Sequence, residues 1–109
     1  MIANKTDITS DASGTKFQVG AISSGQTGYA ILHVFKADGT SPTLDMTLDS
    51  DADSSAGGET NRITFDQVTG VGSQWKTIAG PVTDEWWNVD WTLGGTSPDF
   101  DFVVLFGIL

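Results

Sequence analysis

The chain contains no cysteine, which removes disulfides, thiolate metal sites and a cysteine nucleophile together. The lack of disulfides fits synthesis in a reducing cytoplasm. Basic residues are scarce: five Lys and Arg stand against 14 Asp and Glu, giving a net charge of −9. Such a chain repels phosphate backbones and has no Lys/Arg stripe to override that repulsion, so nucleic acid and anionic membranes are poor partners. No apolar run approaches the ~20 residues of a membrane helix. The opening MIANKTDITSDASGTK lacks the apolar core of a secretory signal. Helical periodicity is missing too, so essentially no helix is expected.

What the chain does have is glycine, 13 in 109 residues, among many short alternating runs. That composition favours an all-β domain with frequent turns. We read an antiparallel β-sandwich, jelly-roll-like, of about seven to eight short strands. It occupies residues 15–109 as a single domain behind a polar, flexible N-terminal arm, residues 1–14.

The stretch Asp90–Leu109 organises the rest. Phe100, Phe102, Val104, Phe106 and Ile108 alternate along it, so one face of a closing strand is large and apolar. It follows Gly95-Thr96-Ser97-Pro98, which repeats an earlier Gly39-Thr40-Ser41-Pro42. Both read as tight hairpin reversals. The remaining alternation predicts a core of Phe17, Val19, Ile31, Phe35, Leu44, Met46, Leu48, Ile63, Phe65, Trp87, Val89 and Trp91, with Phe100, Phe102, Val104 and Phe106.

Tyr29–Lys36 is apolar on both faces, and such a run needs cover on both sides. With Ile31 and Phe35 assigned inward, Ala30, Leu32 and Val34 form a second row. Together with Val103 and Leu105 they make an apolar patch that a protein partner would cover. In Gln74–Ala79 either Trp75 or Ile78 points inward; Trp86, and Trp75 if Ile78 is the inward one, are left outside the core and could stack on sugar rings. The aspartates of Asp49-Ser50-Asp51-Ala52-Asp53 resemble a calcium loop. The helix-loop-helix pattern fails there, because Ser54 and Thr60 stand where glycine and the bidentate Glu belong, so a solvated acidic loop is the expectation. His33 is the only histidine, which excludes a two-histidine metal site, and it is expected to pack within its strand with a single hydrogen bond. No catalytic, cofactor or metal site is assigned from the residues.

Trp91-Thr92-Leu93-Gly94-Gly95-Thr96-Ser97-Pro98-Asp99-Phe100-Asp101-Phe102 resembles a C-terminal pattern of small virion proteins of tailed bacteriophages. Gly28–Val34 followed by Gly39–Asp45 matches the same family's first hairpin, so the resemblance covers about residues 15–108. It implies a non-enzymatic capsid decoration (cement) protein on the outer surface of the head. Its partners would be the major capsid protein and possibly copies of itself as a homo-oligomer. Asp99 and Asp101 depart from the family pattern, where small polar residues are usual. The alternative is a carbohydrate or host-receptor-binding module of a phage tail or fibre.

Overall fold

Two strands dominate the structure, and neither can be straight. β4 (Thr27–Asp51) and β7 (Trp86–Ile108) hold 25 and 23 residues. Extended, each would reach about 75–80 Å. In the computed structural model, which describes residues 1–109, the longest dimension of the molecule is 43 Å. Both strands therefore fold in the middle, and they fold together. Residues 27–38 of β4 pair antiparallel with residues 99–108 of β7, and residues 43–51 pair with residues 86–94.

This folded ribbon makes two layers. The front sheet is built on 27–38 and 99–108, with β6 (Gly72–Ala79) on one edge and β1 (Ala3–Ile8) on the other. In the back sheet, 43–51 and 86–94 are flanked by β5 (Thr60–Thr64) on one side. The short strands β2 (Ala12–Ser13) and β3 (Phe17–Gln18) flank them on the other. The result is the expected all-β, antiparallel sandwich with no helix. Aromatic pairs close the layers on each other: Trp87 meets Phe106 with 4.5 Å between ring centroids, and Trp91 meets Phe102 at 5.2 Å.

The paired Gly-Thr-Ser-Pro segments are corners, not hairpin reversals. Thr40 lies opposite Thr96, so the two segments face each other where the ribbon bends from one sheet to the other. Their backbones match: Gly39 and Ser41 have positive φ, as do Gly95 and Ser97. Turn-forming residues do bend the chain here, but each strand resumes on the far side with the same partner.

The expected row in β4 is inverted. Ala30, Leu32 and Val34 are buried, whereas Ile31 and Phe35 face out. Both rows are apolar, so alternation alone has no phase, and the partner strand sets it. Ala30, Leu32 and Val34 lie opposite Phe106, Val104 and Phe102 and so share their inward face. A small residue against a large ring, Ala30 against Phe106, also fills the layer without overlap. Phe17 is exposed as well, and Val19 only half-buried, because only Phe17 and Gln18 of the expected strand pair with β7.

The N-terminal segment is not a free arm. β1 pairs along β7, and Ile2 and Ala3 enter the core. Lys36 anchors the same edge: its Nζ lies 2.6 Å from Asp7, 3.1 Å from Asp99 and 3.5 Å from Asp101. Hydrogen bonds to Asp7 and then Asp99 hold its pKa well above the usual lysine value. The two aspartates that depart from the phage pattern thus serve this clamp.

Candidate functional site

Inverting the β4 row moves the interesting surface. Tyr29, Ile31, His33 and Phe35 stand on the outside of the front sheet, in a row of about 20 Å. On one side Trp75 and Thr77 of β6 lie opposite Ile31 and Tyr29, with Ser73 opposite His33. On the other, Leu105, Val103 and Gly107 of β7 lie opposite Ile31, His33 and Tyr29. Trp75 is 67% exposed, Phe35 47%, Leu105 42%, and Tyr29 and Ile31 41% each, so the whole face is open. Gly107 leaves a gap beside Tyr29, since a side chain there would meet nothing within 4 Å.

Local structure fixes the rings. His33 Nδ1 is hydrogen-bonded to the Ser73 hydroxyl, and its ring stacks on Phe35 with centroids 6.0 Å apart and planes 21° from parallel. His33 is therefore exposed on this face instead of packed inside the strand. None of the residues named on this face is Lys, Arg, Asp or Glu, although the chain carries −9 overall. Chemically the face offers the rings of Tyr29, Phe35 and Trp75 beside the His33 imidazole, three aliphatic side chains, and the Ser73 and Thr77 hydroxyls along the β6 edge.

The sites expected from sequence are divided by the structure. Of the five patch residues, Ala30, Leu32 and Val34 lie in the core, so they cannot contact a partner. Val103 and Leu105 remain outside, on the face just described. Trp75 is on this face too, on its β6 edge opposite Ile31. Trp86 is elsewhere, half-buried on the outer row of the back sheet opposite Gln18 and Asp51. Ile31, Tyr29 and Phe35 were missed because alternation was read in the wrong phase.

The aspartates of the 49–53 loop do not converge on one point. Asp51 pairs with Lys16 Nζ at 2.6 Å, and Asp53 caps the backbone N–H of Ser55 at 2.9 Å. Lys16 also reaches Glu59 at 3.3 Å, so it gathers the loop beneath it. The Lys16 hydrogen bond is the main cause holding Asp51 below the usual carboxylate range. Glu59 is lowered first by a backbone N–H and then by Lys16. Carboxylates with depressed folded-state pKa values stabilise the fold above their ordinary values of about 4, and the effect is lost as pH falls through the depressed values. A melting series should accordingly show Lys16→Met less stable than wild type at neutral pH. The gap should close on acidification below about pH 4. A gap constant from pH 7 to pH 2 would mean that Lys16 acts by packing alone.

No family model and no curated protein matches the chain. Among solved structures, it is similar to TmCBM61 in complex with β-1,4-galactotriose, with a TM-score of 0.44 and 14% identity over 94% of this chain. The match spans 66% of that protein. It is likewise similar to a family 16 carbohydrate-binding module, with a TM-score of 0.44 and 14% identity over 92% of this chain and 72% of the other. At that overlap and identity neither match carries its ligand over to this chain.

Proposed function

We propose that this protein is a non-catalytic carbohydrate-binding module whose ligand surface is the outer face of the front sheet. The observation that carries the reading is the exposed aromatic row of Tyr29 and Phe35 on β4, with Trp75 beside it on the neighbouring edge strand. Pyranose rings present apolar C–H faces that stack on open aromatic rings, while their hydroxyls need neutral donors and acceptors at the edge. Ser73 and Thr77 supply such groups on the β6 edge, and the His33 imidazole stands beside Ser73. Rings held on paired strands lose little freedom on binding, which favours affinity. Between Trp75 and Leu105 the face carries no charged side chain, and the Lys36–Asp101 pair stands only at its Phe35 end; on an acidic protein that suits a neutral glycan and disfavours an anionic one.

Purified protein on a glycan array should bind neutral oligosaccharides. Trp75→Ala should weaken binding by about 2 kcal/mol, roughly thirty-fold, with no loss of fold. Trp86→Ala should leave affinity unchanged. Binding that survives Trp75→Ala would move the site off this face.

A second reading is favoured by Ile31, Val103 and Leu105, whose aliphatic side chains lie beside the rings. Such groups suit a protein surface. With the phage resemblance, they support a decoration protein that lays this face on the capsid exterior, against the major capsid protein or a second copy. Co-sedimentation with undecorated capsids, lost in Leu105→Asp, together with silence on the array, would favour that reading over the glycan.

A further inference from the structure

On the opposite side of the molecule, the outer face of the back sheet carries a cleft lined only by polar side chains, among them Asp49, Glu59, Asn61, Asn88 and Asp90. Asp49 and Asn88 lie directly opposite each other on paired strands, and Asn61 of β5 lies opposite Asp49 from the other side. Directly opposed residues hold their Cβ atoms about 5 Å apart, so Asp49, Asn88 and Asn61 are side-chain neighbours across three strands. Asp90 is two residues along from Asn88 on the same outward row, and the Ser13 hydroxyl donates to one of its oxygens.

Two of these oxygens pose a problem that the protein itself does not solve. Asp49 is 8% exposed and Asn88 4% exposed. Oδ1 of each is buried and meets no donor from the chain. A buried acceptor left without a donor costs about 1–3 kcal/mol, and more when it carries charge. Asp90 and Glu59 add like charge beside Asp49, and the cleft contains no Lys or Arg. Elsewhere this protein meets the same need with a lysine: Lys16 serves Asp51, and Lys36 serves Asp7, Asp99 and Asp101. Here Lys16 reaches only Glu59, at 3.3 Å, and neither Asp49 nor Asp90 has a cationic partner.

We propose that this cleft binds a divalent cation, calcium in the first instance, through Asp49 and Asn88, with Asp90, Glu59 and Asn61 completing the shell directly or through water. The donors are all oxygen, which selects a hard ion. Their mixed carboxylate and amide character, and their spread over three strands, suit the irregular coordination of calcium better than the strict octahedron of magnesium. One ion would satisfy both buried oxygens and offset Asp49 and Asp90, the two carboxylates of the cleft that no lysine or arginine meets. The ligand set differs from the alternating aspartates of the adjacent loop, of which only Asp49 takes part. Because the cleft and the Trp75 face belong to opposite sheets, the ion is not a ligand of the proposed glycan site.

The test uses the whole chain stripped with chelator. Calorimetric titration with calcium chloride should show one site, and calcium should raise the melting temperature over that in chelator, as binding to the folded state alone requires. Asp49→Asn should fold and melt in chelator at or above the wild-type temperature, since it removes a buried charge. It should lose affinity at least about tenfold, and the calcium-dependent rise in melting temperature with it. Asn88→Ala should lose the same rise, and magnesium should bind wild type more weakly. An equal rise in wild type and Asp49→Asn would overturn the proposal in favour of general screening of a −9 chain. Absence of binding to wild type at about 10 mM calcium would overturn it in favour of a water, or of the Asn88 amide nitrogen turned toward Asp49.

Discussion

Trp87→Ala is expected to destabilise the protein by about 3–5 kcal/mol, enough to unfold much of a domain of ordinary stability. The indole is fully buried and packs on Phe106 across the layers. Its Nε1 also donates to the Gly20 carbonyl at 2.8 Å, which ties the loop after β3 to the sandwich. Truncation would open a large cavity in a close-packed interior and leave that carbonyl unpaired. Trp87→Phe keeps the ring contact and loses only the hydrogen bond, so it should cost about 1–2 kcal/mol. Trp75→Ala, by contrast, should leave stability within about 0.5 kcal/mol of wild type. Denaturant unfolding of the three variants checks the order. Similar midpoints for Trp87→Ala and Trp75→Ala would mean that the row through Trp87 does not lie between the sheets.

Gly95→Ala is the second large effect, at about 3 kcal/mol. Gly95 sits at φ 91°, in a region that side chains rarely adopt. An added Cβ would lie 2.4 Å from the Ser41 carbonyl oxygen and 2.8 Å from that of Thr40, in the facing corner. Those atoms belong to backbone at the bend and cannot swing aside as a side chain would. Gly39→Ala presents the mirror case, meeting the Ser97 and Thr96 oxygens at 2.7 and 2.8 Å. Gly25→Ala separates the two contributions. It has φ 85° but nothing within 4 Å, so it should cost only the backbone part, about 1 kcal/mol. Equal losses at Gly25 and Gly95 would show that the corners do not press on each other.

Most of the inner layer could be read from spacing. Leu44, Met46, Leu48, Ile63 and Phe65 alternate with polar residues, and in Trp87–Trp91 and Phe100–Phe106 the row of large aromatic residues outweighs the other. Their phase can therefore be read, and all the predicted members of these runs are buried. β4 at 29–35 has two apolar rows, and only the register against Phe102 and Phe106 chooses between them. That choice is a long-range contact, invisible to a local pattern. The Gly-Thr-Ser-Pro segments show the same limit. Their residues specify a sharp bend, but whether the chain then returns along itself or continues into a second layer depends on what pairs beyond it. β1 was hidden for a different reason: Ala3–Ile8 is an edge strand with one side chain, Ala3, in the core, so its polar composition resembles a loose end.

The candidate surface inherits this split. Leu105 is recognisable as outward because it lies off the Phe100–Phe106 row, whereas Gln74–Ala79 offers either Trp75 or Ile78 as the inward residue, and only pairing with β4 puts Trp75 outside. Tyr29, Ile31 and Phe35 came to the surface only through the β4 register. The Asp49–Asn88 cleft had no sequence signal beyond an acidic stretch, since its members come from three strands brought together by pairing.

Chemical-shift mapping of the isotope-labelled protein, titrated with a neutral oligosaccharide chosen from the array, puts the ligand on or off the proposed face residue by residue. Perturbations confined to residues 29–35, 73–77 and 103–107, with the Trp75 indole N–H moving most, are the expected result. Shifts centred on Trp86 or on the back sheet, with 29–35 silent, would contradict it.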